Sequence, residues 1–192
     1  MIHFYTNREL SEILDVNLAR WKRWSRAFLP PDPLGGMRSG YARQYVFKDL
    51  FKVFLGGYLL SHLKMSVLES RQILTDLSLW LEKHGFYADN GGNGQSLEKR
   101  RAPYRIYVSA FQTDAAKNQM AFAYLIQKTI DLRIDSSSSF RCVIETMEET
   151  VIPDDRQQDK GVFAHNPNLH TIHISALYED VIERLHPPAI NL

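Results

Sequence analysis

Leu10-Ser11-Glu12-Ile13-Leu14-Asp15-Val16-Asn17-Leu18-Ala19-Arg20-Trp21-Lys22-Arg23-Trp24 is the stretch on which the fold turns. Leu10, Ile13 and Leu14 recur at helical spacing, and Leu18, Trp21 and Trp24 begin a second helical period. Asp15-Val16-Asn17 interrupts the apolar pattern between them. Upstream, Thr6 and Glu9 stand at capping-box separation, where the hydroxyl accepts from an early amide while the carboxylate reaches back to the cap. Pro30-Pro31 ends the second period. Two short helices with a narrow break, the second loaded with Arg and Lys, describe a helix-turn-helix. In such a pair the first helix braces the second, which offers long cationic donors to the major groove.

The next segment extends the pattern. Pro33-Leu34-Gly35-Gly36-Met37-Arg38-Ser39-Gly40-Tyr41-Ala42-Arg43-Gln44-Tyr45 is punctuated by glycine and ends in aromatics and arginines, which reads as a small β-hairpin or wing. Asp49-Leu50 opens a helix with Phe51, Val53, Phe54, Leu55, Tyr58 and Leu59 on its apolar side. Lys64-Met65-Ser66 breaks it, and Ser66-Val67-Leu68-Glu69 is a second capping box that starts a helix running to about His84.

Residues 4–80 resemble the MerR-like winged helix-turn-helix regulators. The resemblance is carried, in order, by Leu10–Trp24, by Leu29-Pro30-Pro31 at the exit of the second helix, by Gly40-Tyr41-Ala42-Arg43-Gln44-Tyr45 as the wing, by Asp49-Leu50, and by Met65–Leu74 as the later helix pair. It implies a DNA-binding fold whose recognition helix and wing straddle adjacent grooves. In that register Trp21 falls on a buried leucine position, Lys22 on a DNA-contacting arginine and Trp24 on an aromatic. Two departures bear on contact geometry: Arg23 takes the place of an aromatic, and Ala42 is a one-residue insertion between Tyr41 and Arg43. The candidate phosphate or base contacts are therefore Asn17, Arg20, Lys22 and Arg23 on the helix and Arg38, Tyr41 and Arg43 on the wing. Trp21 and Trp24 are expected in the core, Tyr41 and Tyr45 have a wing-packing alternative, and Arg26 suits the negative end of the helix dipole.

Charge supports the same reading. The 192 residues carry 23 Lys and Arg against 22 Asp and Glu. Residues 1–84 hold 12 basic and 8 acidic side chains, and residues 104–192 hold 8 and 12. Near-neutrality is thus a cancellation between a basic half and an acidic half, a pattern that points to a nucleic-acid-binding segment joined to something else. Residues 85–103, rich in Gly and Asn, read as the linker. The single cysteine excludes a disulfide framework and a multi-thiolate zinc site. Met1–Arg8 has no apolar core of a secretory leader, and Val53–Leu63 falls short of a membrane span. A cytoplasmic, nucleoid-associated protein is expected.

In the second half, Tyr104–Phe111 reads as a strand, Thr113-Asp114 as the cap of a helix through about Arg133, Phe140–Met147 and Leu169–Ser175 as strands, and Ala176–Leu185 as a closing helix. The expected class is α+β: a winged helix-turn-helix domain over 1–84, then a small α+β domain over 104–192 in β-α-β-β-α order. This second domain is expected to dimerise, bind an effector or meet a protein partner, with the helix Asp114–Arg133 a candidate for self-association. No metal or other cofactor is expected. His165, His170 and His173 are the candidate ligands, but His170 and His173, three apart in a strand, point to opposite faces, and Cys142, in an apolar strand, reads as a buried inert thiol.

The function these observations imply is a dimeric DNA-binding transcriptional regulator on a two-half-site operator. The alternative is an excisionase-like or architectural protein that bends DNA in recombination or segregation. An enzyme in the second half is not expected, since no phosphate loop, nucleophile elbow or metal motif occurs.

Overall fold

A computed structural model describes residues 3–32, 42–89, 104–114, 119–133, 142–151 and 169–187. The chain mixes helix and sheet, and it forms two compact units: Met1–Gln95 together with Tyr178–Leu192, and Ser96–Leu177.

The first unit begins with the two-residue strand β1 (Tyr5–Thr6) and helix α1 (Asn7–Ile13). Its capping box is formed as expected: Thr6 accepts from the Glu9 amide at 3.4 Å, and Glu9 Oε2 accepts from the Thr6 amide at 2.7 Å. The helix ends in a Schellman motif, with Val16 N–H donating to Ser11 O at 3.0 Å and Asp15 N–H to Glu12 O at 3.4 Å. Asp15, at φ 51°, occupies the left-handed position that glycine usually fills. Helix α2 (Leu18–Phe28) starts at once, capped by Asn17, whose Oδ1 accepts from the Ala19 and Arg20 amides at 3.0 and 3.3 Å.

Strand β2 (Gln44–Tyr45) pairs antiparallel with β1, Tyr45 opposite Tyr5. Of the expected hairpin over 33–45, residues 33–41 lie outside the described residues. Helix α3 (Phe47–Ser61) begins two residues before the expected Asp49, which instead sits in the first turn, where its charge suits the positive helix end. Gly56 and Gly57 let α3 approach α2 closely: an added methyl would meet the Phe28 ring at the first and the Trp24 ring at the second, in both cases inside 3.0 Å.

The expected single helix Ser66–His84 is divided into α4 (Val67–Asp76) and α5 (Ser78–Lys83) at the buried Leu77. Thr75 Oγ1 bonds back to the Arg71 carbonyl at 2.8 Å, a bond that bends helices. The Ser66–Glu69 capping box is present. Gly85 (φ 71°) closes α5 in a second Schellman motif, with Phe86 N–H on Leu81 O at 2.9 Å. Gly85 therefore ends a helix where flexible linker was expected, and Phe86 is fully buried.

The second unit is a four-stranded antiparallel sheet of β3 (Tyr104–Asp114), β4 (Gln119–Arg133), β5 (Cys142–Val151) and β6 (Leu169–Ile172), in the order β5-β4-β3-β6. Ile106 pairs with both Ile126 and Ile172, and Val108 with Tyr124, which gathers these buried side chains on one face. The expected helix to Arg133 is overturned, because β4 is a strand. Met120, Phe122, Tyr124, Ile126, Ile130 and Leu132 stand at every second position or its multiples, and this period of two prevails over helix propensity once β3 and β5 bond on either side. Self-association through a helix at Asp114–Arg133 falls with it.

The last helix, α6 (Ile174–Leu185), begins two residues before the expected Ala176. From Tyr178 onward the chain belongs to the first unit rather than to the sheet unit, so the expected cut into 1–84 and 104–192 is redrawn: Ser96–Leu177 is inserted between two parts of the first unit.

Candidate nucleic-acid interface

Helix α2 carries Arg20, Lys22, Arg23 and Arg26 in eleven residues, with no acidic side chain. Its other face buries Trp21, Trp24, Ser25 and Phe28. Trp21 packs edge-on against Tyr45, with ring centroids 5.7 Å apart, and Trp24 lies on Gly57. Both tryptophans are core residues, as expected. With α2 pinned by four buried side chains at helical spacing, its cations can only face solvent, and all four are exposed.

These cations divide between two clefts. Lys22 and Arg26 line a cleft of about 570 Å³ with Arg43, Tyr45 and Asp32. Arg20 and Arg23 line another of about 510 Å³, with Lys64 beyond Leu60 and Val67. Among the described residues, Arg20, Lys22 and Arg23 pair with no carboxylate. An α-helix with side chains is ~10–12 Å across, the width of a DNA major groove. A cation row on each flank therefore has the chemistry to meet the phosphates of both strands.

The other sequence candidates divide differently. Asn17 commits its Oδ1 to the α2 cap, which leaves only its amide donor for another partner. Arg43 donates to the Pro30 carbonyl at 3.0 Å and lies 5.6 Å from the centre of the Tyr45 ring, so it fastens β2 to the exit of α2. Tyr45 is fully buried: its hydroxyl donates to Asn7 Oδ1 at 2.7 Å and shares a 2.7 Å hydrogen bond with Ser25 Oγ. Burial pushes the Tyr45 phenol above its usual range, partly offset by the Ser25 bond and the Arg43 charge. Arg38 and Tyr41 lie outside the described residues.

Two cations at the clefts were not among the sequence candidates. Arg26 does bond the last turn, its Nε donating to the Lys22 carbonyl at 3.2 Å, yet its exposed guanidinium also lines the first cleft. Its place one helical turn after Lys22 is a signal the sequence contains. Lys64 follows α3, 41 residues beyond Arg23, and no local pattern links the two.

The charges nearly cancel within each unit. The first unit has 13 basic and 12 acidic residues, and Ser96–Leu177 has 10 of each. The asymmetry of the halves is not an asymmetry of the units, because α6 brings Glu179, Asp180 and Glu183 into the first unit and Lys99, Arg100 and Arg101 fall in the second. What remains is local: eight basic against two acidic residues over 17–52.

No group of three His, Cys, Asp or Glu placed to hold a metal ion occurs among the described residues, and no described helix is long and apolar enough to cross a membrane. The chain matches no protein-family model and no curated protein.

Proposed function

We propose that the protein is a DNA-binding transcriptional regulator of winged helix-turn-helix type, in which α1 and α2 form the helix-turn-helix and α2 enters the major groove. One observation carries the reading: α2 buries Trp21, Trp24, Ser25 and Phe28 and turns Arg20, Lys22, Arg23 and Arg26 outward with no acidic residue among them. The four-residue connection Leu14–Asn17 and the likeness of residues 4–80 to the MerR-like regulators support it. Phosphate contacts by these cations supply affinity and set register, and side chains at the start of α2 read bases. Two copies on two half-sites supply the contact count for a specific site. The inserted sheet unit is the segment that distinguishes this chain from a bare winged domain, and an effector or protein partner is assigned to it.

Selection of bound fragments from genomic DNA by the full chain, followed by footprinting at several salt concentrations, tests the proposal. A single palindromic footprint whose affinity falls steeply with salt is the expected result. Tandem protected sites with strong bending would transfer the protein to the recombination-accessory class, and no protection at low salt would reject the reading.

A further inference from the structure

The end of the chain completes the unit that contains α2. Tyr178 meets Phe47, Phe51 and Phe86 edge-on, with ring centroids 5.8, 5.6 and 5.6 Å away, and its hydroxyl donates to the Ala88 carbonyl at 2.6 Å. His186 Nε2 lies 2.8 Å from Asp89 Oδ1. Between these anchors stands Arg184. Asp180, one helical turn earlier, holds its Nε at 2.8 Å, and its Nη1 donates to the Leu14 carbonyl at 3.0 Å, across 170 residues of sequence.

Leu14 is the C-cap of α1. Its carbonyl is one of those that a helix end leaves without an intrahelical partner. The connection it opens is short: Asp15 in the left-handed conformation, Val16 held to Ser11 by two bonds (amide to carbonyl at 3.0 Å, and carbonyl accepting from the Ser11 hydroxyl at 2.8 Å), then Asn17 capping α2. The direction in which α2 leaves α1 is set by these few groups. A charged guanidinium is a stronger donor to a carbonyl than a neutral N–H, and Asp180 fixes the direction in which it points.

We infer that Arg184 is a positioning residue for α2: through the Leu14 carbonyl it holds the turn in the geometry from which α2 presents its cations. The segment Tyr178–His186 is on this account a working part of the reading head. The inference rests on the proposed role of α2 in DNA binding.

The test uses the full chain with Arg184→Ala, Arg184→Lys and Asp180→Asn, a mixed-sequence DNA duplex at low salt, and amide hydrogen exchange without DNA. Arg184→Ala should weaken duplex binding roughly three- to tenfold. It should also speed exchange at Asp15, Val16 and the first turn of α2 while leaving α3 protected. Arg184→Lys keeps a donor for the carbonyl and should recover much of both effects; Asp180→Asn should show a weaker form of them. Unchanged binding and unchanged exchange at the turn overturn the inference. So does a uniform loss of protection that extends through α3 and is not rescued by Lys, since that is a purely structural role. If the parent chain binds no duplex, the proposed function fails on its own, and the exchange pattern alone then decides for or against positioning. Should Arg184→Ala not fold, the Lys and Asn variants carry the same comparison.

Discussion

Gly57 lies beneath the indole of Trp24, so close that a methyl group added at its Cα would meet the ring inside 3.0 Å. Alanine in place of a helix-interior glycine ordinarily stabilises a protein by ~0.5–1 kcal/mol. Here the sign should reverse. Gly57→Ala forces α2 away from α3 or drives Trp24 off its rotamer, at a cost of about 1–3 kcal/mol. Urea denaturation with tryptophan fluorescence reads both the loss and the altered indole environment, and a stabilised Gly57→Ala variant would contradict the close approach of α2 to α3.

Asp15 offers the opposite case. It holds φ 51° at the end of α1, a conformation that costs an L-residue free energy and glycine little. Asp15→Gly should raise stability by about 0.5 kcal/mol, the relief of strain outweighing the added freedom of the unfolded chain. Asp15→Val, β-branched in the same conformation, should lower it by about 1–2 kcal/mol. Equal stabilities for the three proteins by chemical denaturation would mean that the turn is not held in the Schellman geometry.

Both residues show what was legible in the sequence and what was not. The two capping boxes, Thr6–Glu9 and Ser66–Glu69, are local signals complete within four residues, and they located the starts of α1 and α4. The burial of Trp21 and Trp24 followed from the same helical spacing that turned Lys22 and Arg23 outward. Strand β4 was not legible, because Met120, Ala121, Ala123, Leu125, Gln127 and Lys128 individually favour a helix and only pairing with β3 and β5 decides against it. The return of the chain end was beyond any pattern reading. Its contacts, Tyr178 with Ala88 and Arg184 with Leu14, join residues 90 and 170 positions apart. The charge asymmetry of the halves does not carry over to the compact units, and what the sequence offers there is only the local excess of basic residues over 17–52.

Three tyrosines bear on the stability at alkaline pH. Burial, as the largest cause, raises the phenols of Tyr45, Tyr87 and Tyr5 above the usual value of about 10. A raised value means that the folded chain keeps a proton the unfolded chain releases. The corresponding stability is complete below about pH 10 and is lost as pH rises through the folded values. Urea midpoints should therefore fall above about pH 10. Tyr45→Phe should cost about 1–2 kcal/mol at neutral pH, since Ser25 is buried and loses its partner. Above about pH 10 its midpoint should fall less steeply than that of the parent, and parallel falls would assign the alkaline limb to other groups.

Lys22 and Arg43 were equal candidates for DNA contact, and their surroundings now separate them. Lys22 is exposed and pairs with no carboxylate among the described residues, whereas Arg43 is held by the Pro30 carbonyl and the Tyr45 ring. Lys22→Ala should leave stability within about 0.5 kcal/mol of the parent, as surface substitutions do. If Lys22 meets a phosphate, the variant should also bind duplex DNA more weakly and lose ~0.9 from the slope of log affinity against log salt. Arg43→Ala should instead lose about 1 kcal/mol of stability through the broken hydrogen bond and cation–π contact. Part of its binding defect then reflects a loosened exit from α2, and that part should shrink when the assay is cooled below the onset of unfolding. Parallel denaturation and salt-titrated binding of the two variants checks both expectations. An unstable Lys22→Ala, or an Arg43→Ala as stable as the parent, would reverse which of the two cations is placed to meet a phosphate and which holds the fold.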